Sequence, residues 1–151
     1  MKLLRQGVLR WYVTGAALHT TNWEICLAES YLLQGDAAAA RSHLSAARAH
    51  CESYGENYLA AEIDRLEALL LQREGAPTEL IEQCLTKALD TARQQGTRLF
   101  ELRSATALAR AMAEHDEHRA HDILSPVYNW FTEGSGTSDM KEAKALLDRL
   151  T

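Results

Sequence analysis

Three alanines, Ala28, Ala68 and Ala109, recur 40 and 41 residues apart, and three leucines, Leu44, Leu85 and Leu124, recur 41 and 39 apart in the same phase. A period near 40 residues constrains this chain more than anything else in it, because recurrence at that length marks a supersecondary unit that cannot bury its apolar face alone. The unit is clearest over residues 24–51. Two helical patterns flank Gly35, a helix-stopping residue. Ala28, Ala40 and Ala47 are small where two helices must approach, and Leu27, Tyr31 and Leu44 fill the space beside them. Only two prolines interrupt 151 residues, and hydrophobic residues make up 46% and charged residues 25%. This balance favours helix throughout, and no stretch reads convincingly as a strand.

The expected elements follow in order. Residues 1–13 place Leu3, Leu4, Val8, Trp11 and Tyr12 at helical spacing, and Thr14-Gly15 stops that helix. It resembles the second half of a hairpin whose first half is missing, as if the chain were the end of something longer. Hairpins are predicted over 20–53, 57–95 and 98–132, with Thr20 or Thr21 capping the first and Asp36 capping its second helix. Leu80, Ile81, Leu85, Ala88 and Leu89 are assigned to one helix, and Leu99, Leu102, Ala105, Leu108, Ala109 and Met112 to the next. Pro126 falls inside the last hairpin helix and should bend it or shift its hydrogen bonding. Gly134-Ser135-Gly136 is the loosest stretch. Asp139, with Glu142 three residues on, then reads as a capping signal for a final helix over 138–150 that carries Met140, Ala143, Leu147 and Leu150. A terminal helix with one apolar and one charged face is what closes a helical array.

The first hairpin fits the tetratricopeptide pattern best, and the other two keep its key positions with altered turns. Beyond that, the segment Leu124-Ser125-Pro126-Val127-Tyr128-Asn129-Trp130-Phe131-Thr132-Glu133-Gly134 resembles the C-terminal tetratricopeptide region of large bacterial signalling proteins that join an adenylate-cyclase or regulatory-ATPase part to a helical tail. Residues 61–71, 101–105 and 142–147 carry the same resemblance, with Ala68 where that family often has glycine. The resemblance implies an all-α, right-handed superhelix: a single solenoid domain of three hairpins with a lone N-terminal helix and a C-terminal capping helix. It also implies a bacterial, signalling context and a binding or regulatory tail. No Gly-x-x-x-x-Gly-Lys-Ser/Thr loop occurs in the chain, and neither enzyme activity nor a cofactor is expected.

If the hairpins stack as tetratricopeptides do, their first helices line a concave groove, and Asn22, Glu29, Glu62, Arg65, Arg103 and Arg110 point into it. Arginines hold carboxylates through two parallel hydrogen bonds, so such a groove, acidic at one end and basic at the other, suits a peptide or protein segment. The plainer reading is a solvated face with intrahelical ion pairs, each stabilising by about 0.2–0.5 kcal/mol. The lysine-and-asparagine clamp some tetratricopeptides use on peptide C-termini is absent from the sequence. Two further readings stand beside the protein-binding one: a sensor that holds a small anion around Arg65, Arg103 and Arg110, and a homodimer formed through the N-terminal helix.

Other clusters carry less. His115, His118 and His121 beside Asp122 suggest a metal, but i, i+3, i+6 spacing spreads the rings around a helix, and a solvated patch is the better account. Trp130 and Phe131 read as core between the third hairpin and the final helix rather than as a docking spot. Cys26, Cys51 and Cys84 are odd in number and far apart, which suits buried free thiols in a reducing cytoplasm; His50 and Cys51 are sequence neighbours and face apart. A net charge of −5 argues against a nucleic-acid partner, and no apolar run has membrane-spanning length.

Overall fold

The computed structural model describes residues 2–14 and 19–150, leaving Gly15 of the expected first stop, and the side chains of Leu4 and Tyr12, outside the described part. Among the described residues there are eight α-helices and no strand: α1 (Lys2–Val13), α2 (Thr20–Gln34), α3 (Ala37–Tyr54), α4 (Ala60–Arg73), α5 (Thr78–Gln95), α6 (Arg98–Met112), α7 (Glu117–Asn129) and α8 (Ser138–Leu147). A single 3-10 turn, Asn57–Leu59, leads into α4.

The turns follow local chemistry. Gly35 takes φ 79°, a left-handed conformation that costs L side chains strain, and its N–H donates to the carbonyl of Leu32 while that of Asp36 donates to Tyr31. Asp36 then caps α3, its Oδ1 accepting from the N–H of Ala39 at 3.0 Å. Asp116 does the same for α7, accepting from Arg119 at 3.1 Å. Two caps differ from the sequence reading. Thr20 and Thr21 lie inside α2, whose cap position is His19; the Glu56 side chain reaches across from before α4 and accepts from the His19 N–H at 3.0 Å. Thr137, not Asp139, caps α8, accepting from the Met140 N–H at 3.4 Å, and this frees the Asp139 carboxylate for another partner.

Helix α2 packs on α3, α4 on α5, and α6 on α7, and each pair stacks on the next through α3 with α4 and α5 with α6. The first helices also meet in sequence, α2 with α4, α4 with α6 and α6 with α8. Every position that carries the 40-residue recurrence is buried: Ala28, Ala68 and Ala109 are fully enclosed, as are Ala40, Ala88 and Ala120, and Leu44, Leu85 and Leu124 lie within 2% of full burial. Two apolar clusters result. One joins α2, α3 and α4 around Leu44, Ile63 and Leu66, the other joins α4 through α8 around Leu85, Leu102, Met112 and Leu124, and Leu69 touches both. Each such leucine stabilises the fold by about 1.5–3 kcal/mol through burial.

Four assigned apolar residues sit outside the core. Leu80 is exposed because Ile81, Leu85, Ala88 and Leu89 define the buried stripe of α5, and one residue along a helix is about 100° of rotation away. Leu99 lies on the face of α6 that carries Arg103 and Arg110, spacings of four and eleven that return to the same side. Leu3 is exposed, while Val8 is buried and Trp11 sets its ring edge-on to Trp23 at 6.3 Å. Trp130 is 54% exposed and lies outside the core; Arg98 stands over its ring at 4.8 Å, and Phe131 packs against the α4–α8 core instead. Pro126 is accommodated on the exposed side of α7, which continues three residues beyond it. No helix among the described residues is long and apolar enough to cross a membrane.

Candidate functional site

Because α2, α4, α6 and α8 pack in succession, the side chains on their common outer side meet in one groove of about 490 Å³. Its lining includes Glu29 and Leu33 from α2, Arg65 and Leu69 from α4, Arg103, Thr106, Ala107 and Arg110 from α6, and Asp139 and Glu142 from α8. A recess of about 250 Å³ adjoins it past Leu66, Gln72 and Arg73 and shares Glu29, Leu33, Leu69 and Arg110.

Of the six residues expected in a groove, Glu29, Arg65, Arg103 and Arg110 line this one. Glu62 lies beneath it, with only 3% of its side chain exposed, and Asn22, half-buried at the start of α2, is not part of the lining. The charged groove residues form a chain of ion pairs from Glu29 to Asp139 and a separate pair, Arg110 with Glu142. Arg65 donates to both oxygens of Glu62, from Nε at 2.9 Å and Nη2 at 2.8 Å, and from Nη2 to Glu29 at 3.1 Å. Arg103 donates from Nη1 to the same Glu62 carboxylate at 3.0 Å, and from Nε and Nη2 to the two oxygens of Asp139 at 2.8 and 3.2 Å. Arg110 donates to Glu142 at 2.6 Å.

Only the Arg65–Glu62 pair is intrahelical; the others tie α2 to α4, α4 to α6, and α6 to α8. This is more than a solvated face of local pairs, since Arg65 and Glu62 are desolvated and every other carboxylate–guanidinium contact in the groove bridges two helices. Nor does acid lie at one end and base at the other. Glu29 and the α8 carboxylates stand at opposite ends with the arginines between them, because α8 brings acid to the α6 wall. Counting Glu29, Glu62, Asp139 and Glu142 against Arg65, Arg103 and Arg110 gives a net charge of −1. Burial works against the charges of Arg65 and Arg103, yet the carboxylates outweigh it and hold both guanidinium groups above their ordinary pKa.

Sequence reading missed Asp139, Glu142, Leu33 and Leu69. The carboxylates are legible as an i, i+3 pair opposite the apolar stripe of α8, and Leu33 as a leucine off the buried stripe of α2, where it is 79% exposed.

A second network lies elsewhere on the hairpins. Asp64, almost fully buried on α4, accepts from Arg48 of α3 at 2.6 Å and from Lys87 of α5 at 3.1 Å, while Glu67 shares Arg48. Glu24 meets His43 Nδ1 at 2.6 Å beneath a stacked Tyr31. Of the histidines near the third turn, His115 pairs with Glu82 at 2.8 Å, and His121 stands 3.8 Å from Asp122. Burial pushes the Cys26 and Cys51 thiols up, which makes them slow nucleophiles, and His50 stacks on Tyr54 rather than facing Cys51. No protein-family model matches the chain, nor does any curated protein or solved structure.

Proposed function

We propose that the chain is a tetratricopeptide-like superhelix, with α8 as its capping helix, and that it works as a protein–protein interaction module whose concave groove receives a segment of a partner protein. The observation that carries this is the groove itself. Four alternate helices build it, its arginines are already paired, and an exposed leucine, Leu33, stands on its rim beside half-buried Leu69. A surface of this kind offers apolar contact and rim polarity along a length, which suits a chain segment better than a point charge. The small-anion reading is weaker, since Arg65, Arg103 and Arg110 each already hold a carboxylate of this chain. In keeping with the resemblance of its sequence, the module belongs to a bacterial cytoplasmic regulator, and the reading assigns it no catalytic group.

The test is capture from host lysate by the parent and by a Leu33→Lys/Arg110→Glu variant of equal helicity. Both residues are exposed and lie outside the apolar core. A protein held by the parent and lost by the variant supports the groove; equal retention by both removes the site from it.

One observation favours a second surface. Helix α1 exposes Leu3, Leu9 and Val13 at 84%, 62% and 87%, an apolar face suited to pairing two copies. Light scattering at several concentrations checks this, and a strict monomer would refute it.

A further inference from the structure

Arg103 and Arg110 stand seven residues apart, on one face of a helix that is buried almost all round and is held by α4, α5, α7 and α8. They are preset. The carboxylates opposite them come from α8, a helix of ten residues joined to the rest by residues 130–137, in which residues 132–137 are all exposed and Gly134 takes φ 78°. Asp139 and Glu142, three residues apart, share one side of α8, while Met140, Ala143 and Leu146 bury the other. Asp139 answers Arg103 with both its oxygens, in the parallel geometry by which arginine selects a carboxylate. Arg110 and Glu142 are each about half exposed, so that pair exchanges readily in water. Of the two sides, the arginines project from a helix packed on four neighbours, and the acids from a shorter helix packed on α6 and α7.

Resting on the groove reading above, we propose that the groove's ligand is an acidic helical segment presenting two carboxylates one turn apart, and that α8 holds its place at Arg103 and Arg110 in the free chain. The chain thus carries a stand-in for its own partner. Binding replaces the Asp139 and Glu142 carboxylates with those of the ligand.

The probe is a fluorescein-labelled synthetic peptide of residues 137–150, titrated by anisotropy into the full chain and into its Asp139→Asn/Glu142→Gln variant. The variant is expected to bind at least tenfold more tightly than the parent. The gain should shrink as salt rises toward about 0.5 M, where charges are screened beyond about 4 Å. It should also vanish for a peptide carrying the same two neutral substitutions. Equal affinity for parent and variant overturns the proposal, and so does equal binding of the acidic and neutral peptides, which would mean that only the apolar stripe is recognised. Should the double variant lose helicity, Glu142→Gln alone, at a half-exposed residue, reads the same exchange through Arg110. If neither form prefers the acidic peptide while capture from lysate still depends on Leu33 and Arg110, the stand-in falls and the groove remains.

Discussion

Replacing Glu62 by alanine tests whether the groove's ion pairs hold the helices together or merely decorate them. Its carboxylate is 3% exposed and accepts three charge-assisted hydrogen bonds, two from Arg65 and one from Arg103. Removing one partner of a buried pair costs about 3–5 kcal/mol when the other charge is left alone. Neither arginine is left alone here: Arg65, itself 9% exposed, keeps Glu29 at 3.1 Å, and Arg103 keeps Asp139. The expected loss is therefore smaller, about 2–3 kcal/mol, which for a chain of this size lowers the melting temperature by about 4–12 °C. Arg110→Ala supplies the contrast, since its pair with Glu142 is half-exposed on both sides and exposed pairs contribute about 0–1 kcal/mol. Urea and thermal unfolding followed by far-UV circular dichroism read both variants. Equal destabilisation by Glu62→Ala and Arg110→Ala would refute the reasoning, because burial would then have made no difference to the ion pair.

Three further outcomes follow from the geometry. Gly35→Ala should destabilise by about 1–2 kcal/mol through backbone strain alone, because φ is 79° and a Cβ there meets nothing within 4 Å; a neutral result in urea unfolding would contradict the left-handed cap. Leu66→Ala, at a side chain with no exposure in the α2–α4 cluster, should cost about 2–5 kcal/mol with the same readout, and a loss below about 1 kcal/mol would mean the site collapses freely. Burial opposes ionisation of Glu56, but the polar groups of Thr21 beside it and the hydrogen bond from the His19 N–H hold its carboxyl below the ordinary range. A lowered carboxyl stabilises fully above its unfolded pKa and loses that contribution as pH falls through the folded one, so Glu56→Gln should flatten the acid limb of a stability–pH curve; an unchanged limb would show that Glu56 does not cap α2.

Much of the helix order was legible because its signals are local. Gly35, Gly55 and Gly96 end helices at positive φ, and Asp36 begins one, through contacts that span only a few residues. The recurring alanines and leucines were legible as core for the same reason, since helical spacing puts them on one stripe whatever packs there. Errors arose where a residue's partner is distant in sequence. Asp139 has the pattern of a cap, but Arg103, 36 residues earlier, takes its carboxylate and Thr137 caps the helix instead. Trp130 has the composition of core, yet the exposed stretch after α7 turns it outward against Arg98.

For the candidate site, helical periodicity alone put Glu29, Arg65, Arg103 and Arg110 on the groove side of the first helices, though it put Asn22 and Glu62 there as well, and neither lines the groove. Whether those charges are free to hold a ligand was decided only by tertiary structure. Packing α8 against α6 brings Asp139 and Glu142 within hydrogen-bond reach of Arg103 and Arg110, and stacking α4 between α2 and α6 places Glu62 between Arg65 and Arg103. An ion pair forms at about 3 Å, and helical periodicity settles direction but not distance between helices, so the state of the groove rests on how the helices assemble.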